Sequence, residues 1–487
     1  MDRGCLRLSH PIRAMEHDCS FLSDVLSSDR ISIEEADRTQ HAGDFGTPED
    51  RQVTPAAVVW PESTDEVARV LTAAHARGVP VTPFAAGTSL EGNATPVFGG
   101  IVVDLTRLTG IVEVRPDDFQ IDVRAGTMGT DIDEAVAQHG LFFPPLPSSG
   151  DLSTIGGMIA NDASGMGTVK YGEIADWLLG LEVVLADGTV VTTGSRAIKS
   201  SSGYNLTDLF VGSEGTLGII TRATLELAGV PEQIRGGRAI FSTLEDAADA
   251  VFDAVRSGVD VAKIELVDGL SATMANHYLG ADLPDAPMTF LEFHANHGVE
   301  REVDFCRSIF ESHDVERFEM ADREAMDELW RARRELAYAV RSYDPALEPI
   351  HPGDVTVPIS AYPEIIRFVK DLASEAGVLA PCFGHAGDGN VHYTVMVDPS
   401  DPESVATGER VYADVVKRAI ELGGTATGEH GIGLGKREYL ELEHGVDAVE
   451  LMRSIKRAYD STDVLNPGKI FPETMQSGGR VRLEGDE

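Results

Sequence analysis

From Pro55 onward the apolar positions alternate between two periods. AAVVW (56–60) is a short apolar run. STDEVARVLTAAHARG then gives apolar residues at helical spacing, behind a capping box from Ser63 to Glu66 and ahead of a terminating Gly78. VPVTPF, IVVDL, IVEV and QIDVRAG read as further short strands, and DIDEAVAQHG as a helix closed by Gly140. LEVVLADGTVVTTG alternates on both sides of Asp187-Gly188, which predicts a hairpin. This first half reads as one α+β unit.

Near residue 230 the pattern changes. After GVPEQIRGG, the strands GRAIF, AKIELV and MTFLEF alternate with acidic helices, the pattern of a second domain with its own sheet. From about Asp447 the chain is helical and ends in NPGKIF. The predicted organisation is an N-terminal helical segment over 1–54, a first domain over 55–229, a second over 230–446, a returning segment over 447–473 and a flexible tail over 474–487.

Composition adds one anomaly. Asp plus Glu number 80 against 40 Lys plus Arg, a formal charge of -40, and only eight of the basic residues are Lys. Such self-repulsion is tolerated where salt shortens the screening length to about 3 Å at 1 M, so a salt-rich cytoplasm is expected. The acids are spread along the chain rather than gathered in a tail. Nucleic acid is not an expected ligand. The four cysteines form no CxxC pair, and neither an apolar run of membrane-spanning length nor a signal-peptide core occurs. A soluble cytoplasmic protein is expected, with any membrane contact peripheral, at the inner face. Met15, which opens the acidic MEHDCS, competes with Met1 as the natural start.

Three glycine-rich segments suggest a cofactor. PFAAGTSLEGNA follows a strand and gathers Gly87, Thr88, Ser89 and Gly92 in one turn, where converging amides make an anion site. In STIGGMIANDASGMGTVKYG, the paired Gly156 and Gly157 let backbone approach a planar ligand. GSEGTLGII lacks the GxGxxG spacing and leads into a strand, against a nicotinamide Rossmann site, and GIGLGKRE around Lys436 is not a P-loop.

FGHAGDGNVHYT and TGEHGIG carry the second signal. His385 and His392 flank a GDGN turn able to direct both imidazoles to one point, and Glu429 supplies a carboxylate. Two histidines and a carboxylate leave an open coordination position, as in a catalytic zinc site, and the set also suits ferrous iron. On these residues alone a metallohydrolase remains a second reading.

The phrases GTSLEG, FPPLP, STIGGMIANDASG, KYG, LEVVLADG and LFVGSEGTLGIIT, in this order, resemble the PCMH-type FAD-binding domain of the vanillyl-alcohol oxidase and p-cresol methylhydroxylase family. Within it the chain is similar to the glycolate oxidase catalytic subunit and cytochrome-type D-lactate dehydrogenase group, from about Pro55 to Phe471. The resemblance implies an α+β fold: a PCMH-type FAD-binding domain of two α+β subdomains, a cap with an antiparallel sheet, and a C-terminal helical segment returning to the cofactor. It implies non-covalent FAD, with the pyrophosphate over Phe84, Ala85, Ala86, Gly87, Thr88, Ser89 and Leu90. Thr154, Gly156, Gly157, Asn161, Ser164, Gly165, Glu214, Gly218, Ile219 and Asn466 would line the rest. Phe84-Ala85 stands where many relatives have Arg-Gly, which leaves the phosphate contacts to backbone donors.

By the same resemblance His385, His392 and Glu429 bind a divalent metal, zinc first with manganese or iron as alternatives, and His430 is the acid-base residue. A substrate carboxylate calls for a forked cation. DELWRARRELAYAVRS offers Arg331, Arg333, Arg334 and Arg341, and the likeness selects Arg333. The expected reaction is oxidation of a D-2-hydroxy acid to the 2-oxo acid, with electrons passed to a separate quinone, cytochrome or electron-transfer flavoprotein. D-Lactate or glycolate is expected over D-2-hydroxyglutarate, because Pro352 replaces a Lys of relatives specific for the latter. A homodimer is compatible with this reading.

Overall fold

A computed structural model describes residues 17–472. The alternative start at Met15 and the tail over 474–487 lie outside the described residues.

Among the described residues the first half holds two small sheets and a two-stranded ribbon of Leu141–Phe142 with Ala228–Gly229. In one, Ala57–Val59, Ile101–Asp104 and Val81–Phe84 run parallel, with Ile31–Ser32 added antiparallel at the edge. Its strands are continuous apolar runs because helix Thr64–His75 covers them, burying Val67, Val70, Leu71 and Ala74. Ser63 caps that helix by accepting from the Glu66 N–H, and Gly78 takes the left-handed turn (φ +62°) that ends it. The edge strand belongs to the segment expected to be helical. There, short 3-10 turns and helix Glu35–Gln40 flank Ile31–Ser32, whose N–H and C=O groups complete the sheet edge.

The second sheet is antiparallel, in the order Ile111–Arg115, Gln120–Arg124, Ile219–Glu226, Leu178–Val184, Val190–Gly194. Leu178–Val184 and Val190–Gly194 form the expected hairpin, with Gly188 at φ +87°. Helix Ile155–Asn161 packs on this sheet through Ile155, Met158 and Ile159. The glycine-rich stretch expected to lie flat is thus partly helical, with Thr154 as its cap.

The second half is built on a seven-stranded antiparallel sheet, ordered Val315–Ala321, Gln233–Phe241, Met288–Ala295, Lys263–Val267, Cys382–His385, Asn390–Val397, Glu348–Thr356. Helices Leu244–Arg256, Val299–Phe310, Tyr362–Ala376 and Pro402–Glu421 bury their apolar stripes on one face, against Ile264, Leu266, Cys382, Val391, Tyr393 and Val355. Helices Gly269–Leu279, Arg323–Arg334 and Leu336–Ser342 cover part of the other, against Val267, Phe290, Phe383 and Met396.

Helix Val446–Tyr459 then carries the chain back to the first half. Ile455 and Tyr459 pack on its core, and Leu465 bridges to Val81.

Candidate active site

Strand alternation builds the site. Side chains point to opposite faces at successive residues, so in register Glu265 opposes His385, Phe383 opposes His392, and Asp354 opposes His392. Neighbours such as Leu266, Val391 and Val355 fill the opposite face, and four adjacent strands present Glu265, His385, His392 and Asp354 together. The GDGN turn, with Gly389 at φ +85°, joins the two histidine strands.

The loop carrying Glu429 comes from far along the chain and closes the cluster. Glu429 Oε1 lies 3.4 Å from His385 Nε2 and 3.2 Å from His392 Nε2. The two rings sit 5.1 Å apart and nearly perpendicular, while His430 stacks on His392 at 5.4 Å. The three residues expected from the motif to converge do so, with their ligand atoms within 4.8 Å of one another.

Two buried carboxylates that the sequence reading did not select organise this cluster. Asp354 Oδ2 accepts from Thr427 Oγ1 and from the backbone N–H groups of Gly428, Glu429 and His430 at 2.8–3.0 Å. Its Oδ1 accepts from Asn390 Nδ2 at 2.7 Å, and the buried Lys436 Nζ lies 3.7 Å from Oδ2. Burial alone would raise Asp354; the charges of His430, Lys436 and His392 and the amide bonds hold it well below the carboxylate range. Glu265, 0% exposed, accepts from His385 Nδ1 and from Arg333 Nε, each at 2.7 Å.

The same fields set the imidazoles. Burial would lower His385, but Glu265 and Glu429 carry it well above 6.5. A metal ion would therefore displace a proton there. His430 goes the other way: burial takes it to about 4 despite Asp354, leaving a neutral imidazole at neutral pH.

The donor set fits a divalent cation. Asp354, His392 and His430 form a second group of comparable spacing, but Asp354 is already saturated by hydrogen-bond donors. His385, His392 and Glu429 are the better set. Arg333, on helix Arg323–Arg334, is buried with its guanidinium carbon 4.9 Å from the Phe383 ring centroid. Its Nε is taken by Glu265, while its buried Nη2 has no partner among the described residues. Arg331 and Arg334 remain exposed on the same helix and Arg341 on the next, where Arg341 lies over Phe45.

The glycine loops meet this cluster directly. Asn161 Nδ2 donates to the Glu429 carbonyl at 2.7 Å, and Ser164 Oγ lies 3.3 Å from Glu429 Oε2. Gly431 must lack a side chain, since its Cβ would fall 2.6 Å from Asn161 Oδ1. The residues fit a dinucleotide. After strand Val81–Phe84, the backbone amides from Ala85 through Leu90 find no acceptor among the described residues, although Phe84 to Leu90 are all partly accessible. Across the cleft Gly157, whose amide is capped by Thr154 Oγ1, would place a Cβ only 3.8 Å from that of Ala85.

Five of the expected flavin-lining residues are taken up within the protein. Glu214 accepts from the Ile432 and Gly433 amides, and Asn466 Nδ2 donates to the carbonyls of Asn93 and Glu214. Gly165 is pressed against Leu146, Gly218 against Val183, and Ile219 lies in the core.

Comparison with known proteins agrees with this architecture. Residues 55–194 match the FAD binding domain model, and 230–470 match the model for the C-terminal domain of FAD linked oxidases. The D-lactate dehydrogenase (cytochrome), mitochondrial, of Arabidopsis thaliana is 37% identical over 86% of this chain and 74% of its own. Glycolate oxidase subunit GlcD of Bacillus subtilis is 36% identical over 86% of this chain and 90% of its own. A crystal structure of p-cresol methylhydroxylase with substrate bound superposes with TM-score 0.75 at 16% identity, covering 93% of this chain and 95% of that one, a likeness of fold. With both domains matched and full-length relatives above 30% identity, the chain belongs to the family of FAD-linked oxidoreductases that includes the D-lactate dehydrogenases and glycolate oxidase subunit GlcD.

Proposed function

We propose that this protein oxidises a D-2-hydroxy acid, D-lactate or glycolate, to the 2-oxo acid, and passes the electrons to a separate acceptor. One observation carries the reading: the metal-competent Glu429 is hydrogen-bonded to the flavin-domain residues Asn161 and Ser164, with His430 beside it. FAD and a divalent ion held there would supply the hydride acceptor and a Lewis acid that lowers the pKa of the substrate hydroxyl.

The chain's residues supply the rest. His385, His392 and Glu429 would hold the ion, and Arg333 would grip the substrate carboxylate with its unpartnered Nη2. His430, neutral through burial, takes the hydroxyl proton. The alcohol proton thus has a place to go on the imidazole, and the two electrons and hydrogen of the C–H bond would be taken up by the hydride acceptor that bound FAD would supply. Pro352 shares the sheet face of Asp354 and offers no charge, which favours a small monocarboxylate over a dicarboxylate. Among the described residues no helix is long and apolar enough to cross a membrane. The acceptor, a quinone, cytochrome or electron-transfer flavoprotein, would meet the protein at its surface.

Anaerobic mixing with D-lactate, L-lactate, glycolate and D-2-hydroxyglutarate in molar KCl tests this. Rapid bleaching of the flavin by the D-monocarboxylates is expected. A protein that gains no flavin absorbance from added FAD, or hydrolyses esters without it, would instead act as a metallohydrolase.

A further inference from the structure

Glu265 is as fully buried as Asp354 and has two partners of different kinds. Its strand, AKIELV, is apolar on either side of it, and an isolated carboxylate there would cost several kcal/mol in desolvation. Both oxygens are used: Oε1 on His385 Nδ1 and Oε2 on Arg333 Nε, at 2.7 Å each. One partner is a ligand in the proposed metal set and the other the proposed carboxylate clamp.

We propose that Glu265 is a positioning residue that couples the metal-binding arm of the site to the arm that binds the substrate carboxylate. The inference rests on the proposed function and deepens it.

On the metal side, the contact at Nδ1 fixes the hydrogen of His385 on that nitrogen. The lone pair is then on Nε2, which faces Glu429 and His392. An imidazole free to rotate or to change tautomer would present this ligand only part of the time.

On the substrate side, a guanidinium is planar, so two fixed points set its orientation. Glu265 holds Nε and the Phe383 ring lies against its face, and the buried Nη2 is left without a hydrogen-bond partner among the described residues. Phe383 is two residues from His385 on the same strand face, so the platform under Arg333 and the first metal ligand move together. Glu265 also neutralises Arg333. Without it, an uncompensated buried cation would stand beside the metal, and like charges so close would weaken each other's binding.

Glu265→Gln keeps the shape and removes the charge. The test uses full-length protein loaded with FAD, titrates zinc calorimetrically, and with the zinc site saturated reads D-lactate affinity from the concentration dependence of the anaerobic bleaching rate. Wild-type protein binding zinc and bleaching with D-lactate establishes the underlying reading; failure at that step refutes the proposed function itself. Given that step, Glu265→Gln is expected to weaken zinc about 10- to 100-fold. It should also weaken D-lactate about tenfold or more. FAD content should be unchanged. If only one of the two affinities falls, or neither, the coupling is refuted. Should Glu265→Gln fail to fold, Glu265→Asp keeps the charge but is one methylene too short to span both partners, and the same paired fall, smaller in size, is required of it.

Discussion

The two sides of the cleft offer a ligand opposite kinds of contact. On the flavin-domain side the contacts offered are main-chain: a run of free amides from Ala85 to Leu90 facing the small residues around Gly157. On the cap side they are side chains, Glu265, His385, His392, Asp354, Glu429, His430 and Arg333, each buried or nearly so and each charged or able to be. Main-chain donors are supplied by any residue, so the loop makes no demand on the side chains of Phe84 and Ala85. A buried charge is tolerated only with its partners in place, so the cap site should fail when any one member is lost.

The largest effect should come from His430. His430→Ala removes the proton acceptor while leaving the glycine loops intact, so flavin reduction by D-lactate should slow by roughly 10²- to 10⁴-fold with FAD still bound. Stopped-flow bleaching measures it; undiminished reduction would remove His430 from the mechanism.

Removing the ion should rank next. Chelation, or His392→Ala, withdraws several kcal/mol of charge stabilisation, on the order of 10²-fold or more in the rate of bleaching. Zinc should restore the chelated wild type and fail to restore the variant. Recovery of His392→Ala by the same zinc concentration would show that His392 is not a ligand.

These expectations divide along the line between what sequence order reveals and what only the sheet brings together. The hairpin at Asp187-Gly188, the cap at Ser63 and the strand AKIELV are local patterns, and each appears where its periodicity puts it. His385 and His392 were legible because one short turn separates them. Asp354 and Glu265 were not selected, because each meets its partners across strands far apart in the chain. The signal available for Glu265 was a lone carboxylate inside an apolar strand, which needs a buried partner to be tolerated. Glu214 and Asn466 show what motif position alone leaves open. Their motifs lie beside the cleft, but their side chains stitch the loop at Ile432 and Gly433 and the returning C-terminal segment to the flavin domain.

A smaller effect, on stability, comes from the strand that carries Asp354. His351 packs on Tyr412 at 5.2 Å, and burial, aided by Arg51 and Lys436 against Glu409, lowers it from 6.5 to about 4. The folded state therefore holds it neutral while the unfolded chain protonates it near 6.5. The unfolded state binds more protons in that window, so stability is full above 6.5, falls as pH drops toward 4 and levels off below. The loss is at most ~3 kcal/mol. His351→Phe should flatten this part of the curve in urea melts between pH 7 and 4; an unchanged slope would mean that His351 is protonated in the fold.

The smallest effect belongs to the flavin loop and tests the contrast most directly. Thr88 Oγ1 is already engaged with Ser153 Oγ at 3.1 Å, and the loop's unused donors are amides. Thr88→Ala thus removes one neutral hydrogen bond, about 1 kcal/mol, and FAD affinity should fall by no more than about tenfold. Gly87→Val, by contrast, forces a branched residue into the left-handed region at φ +68° and sets a Cβ 2.8 Å from the Phe84 ring, which displaces the amides themselves. FAD titration by fluorescence should rank Gly87→Val well above Thr88→Ala. If the order is reversed, side chains rather than backbone hold the phosphates, and the two sides of the cleft do not differ in kind.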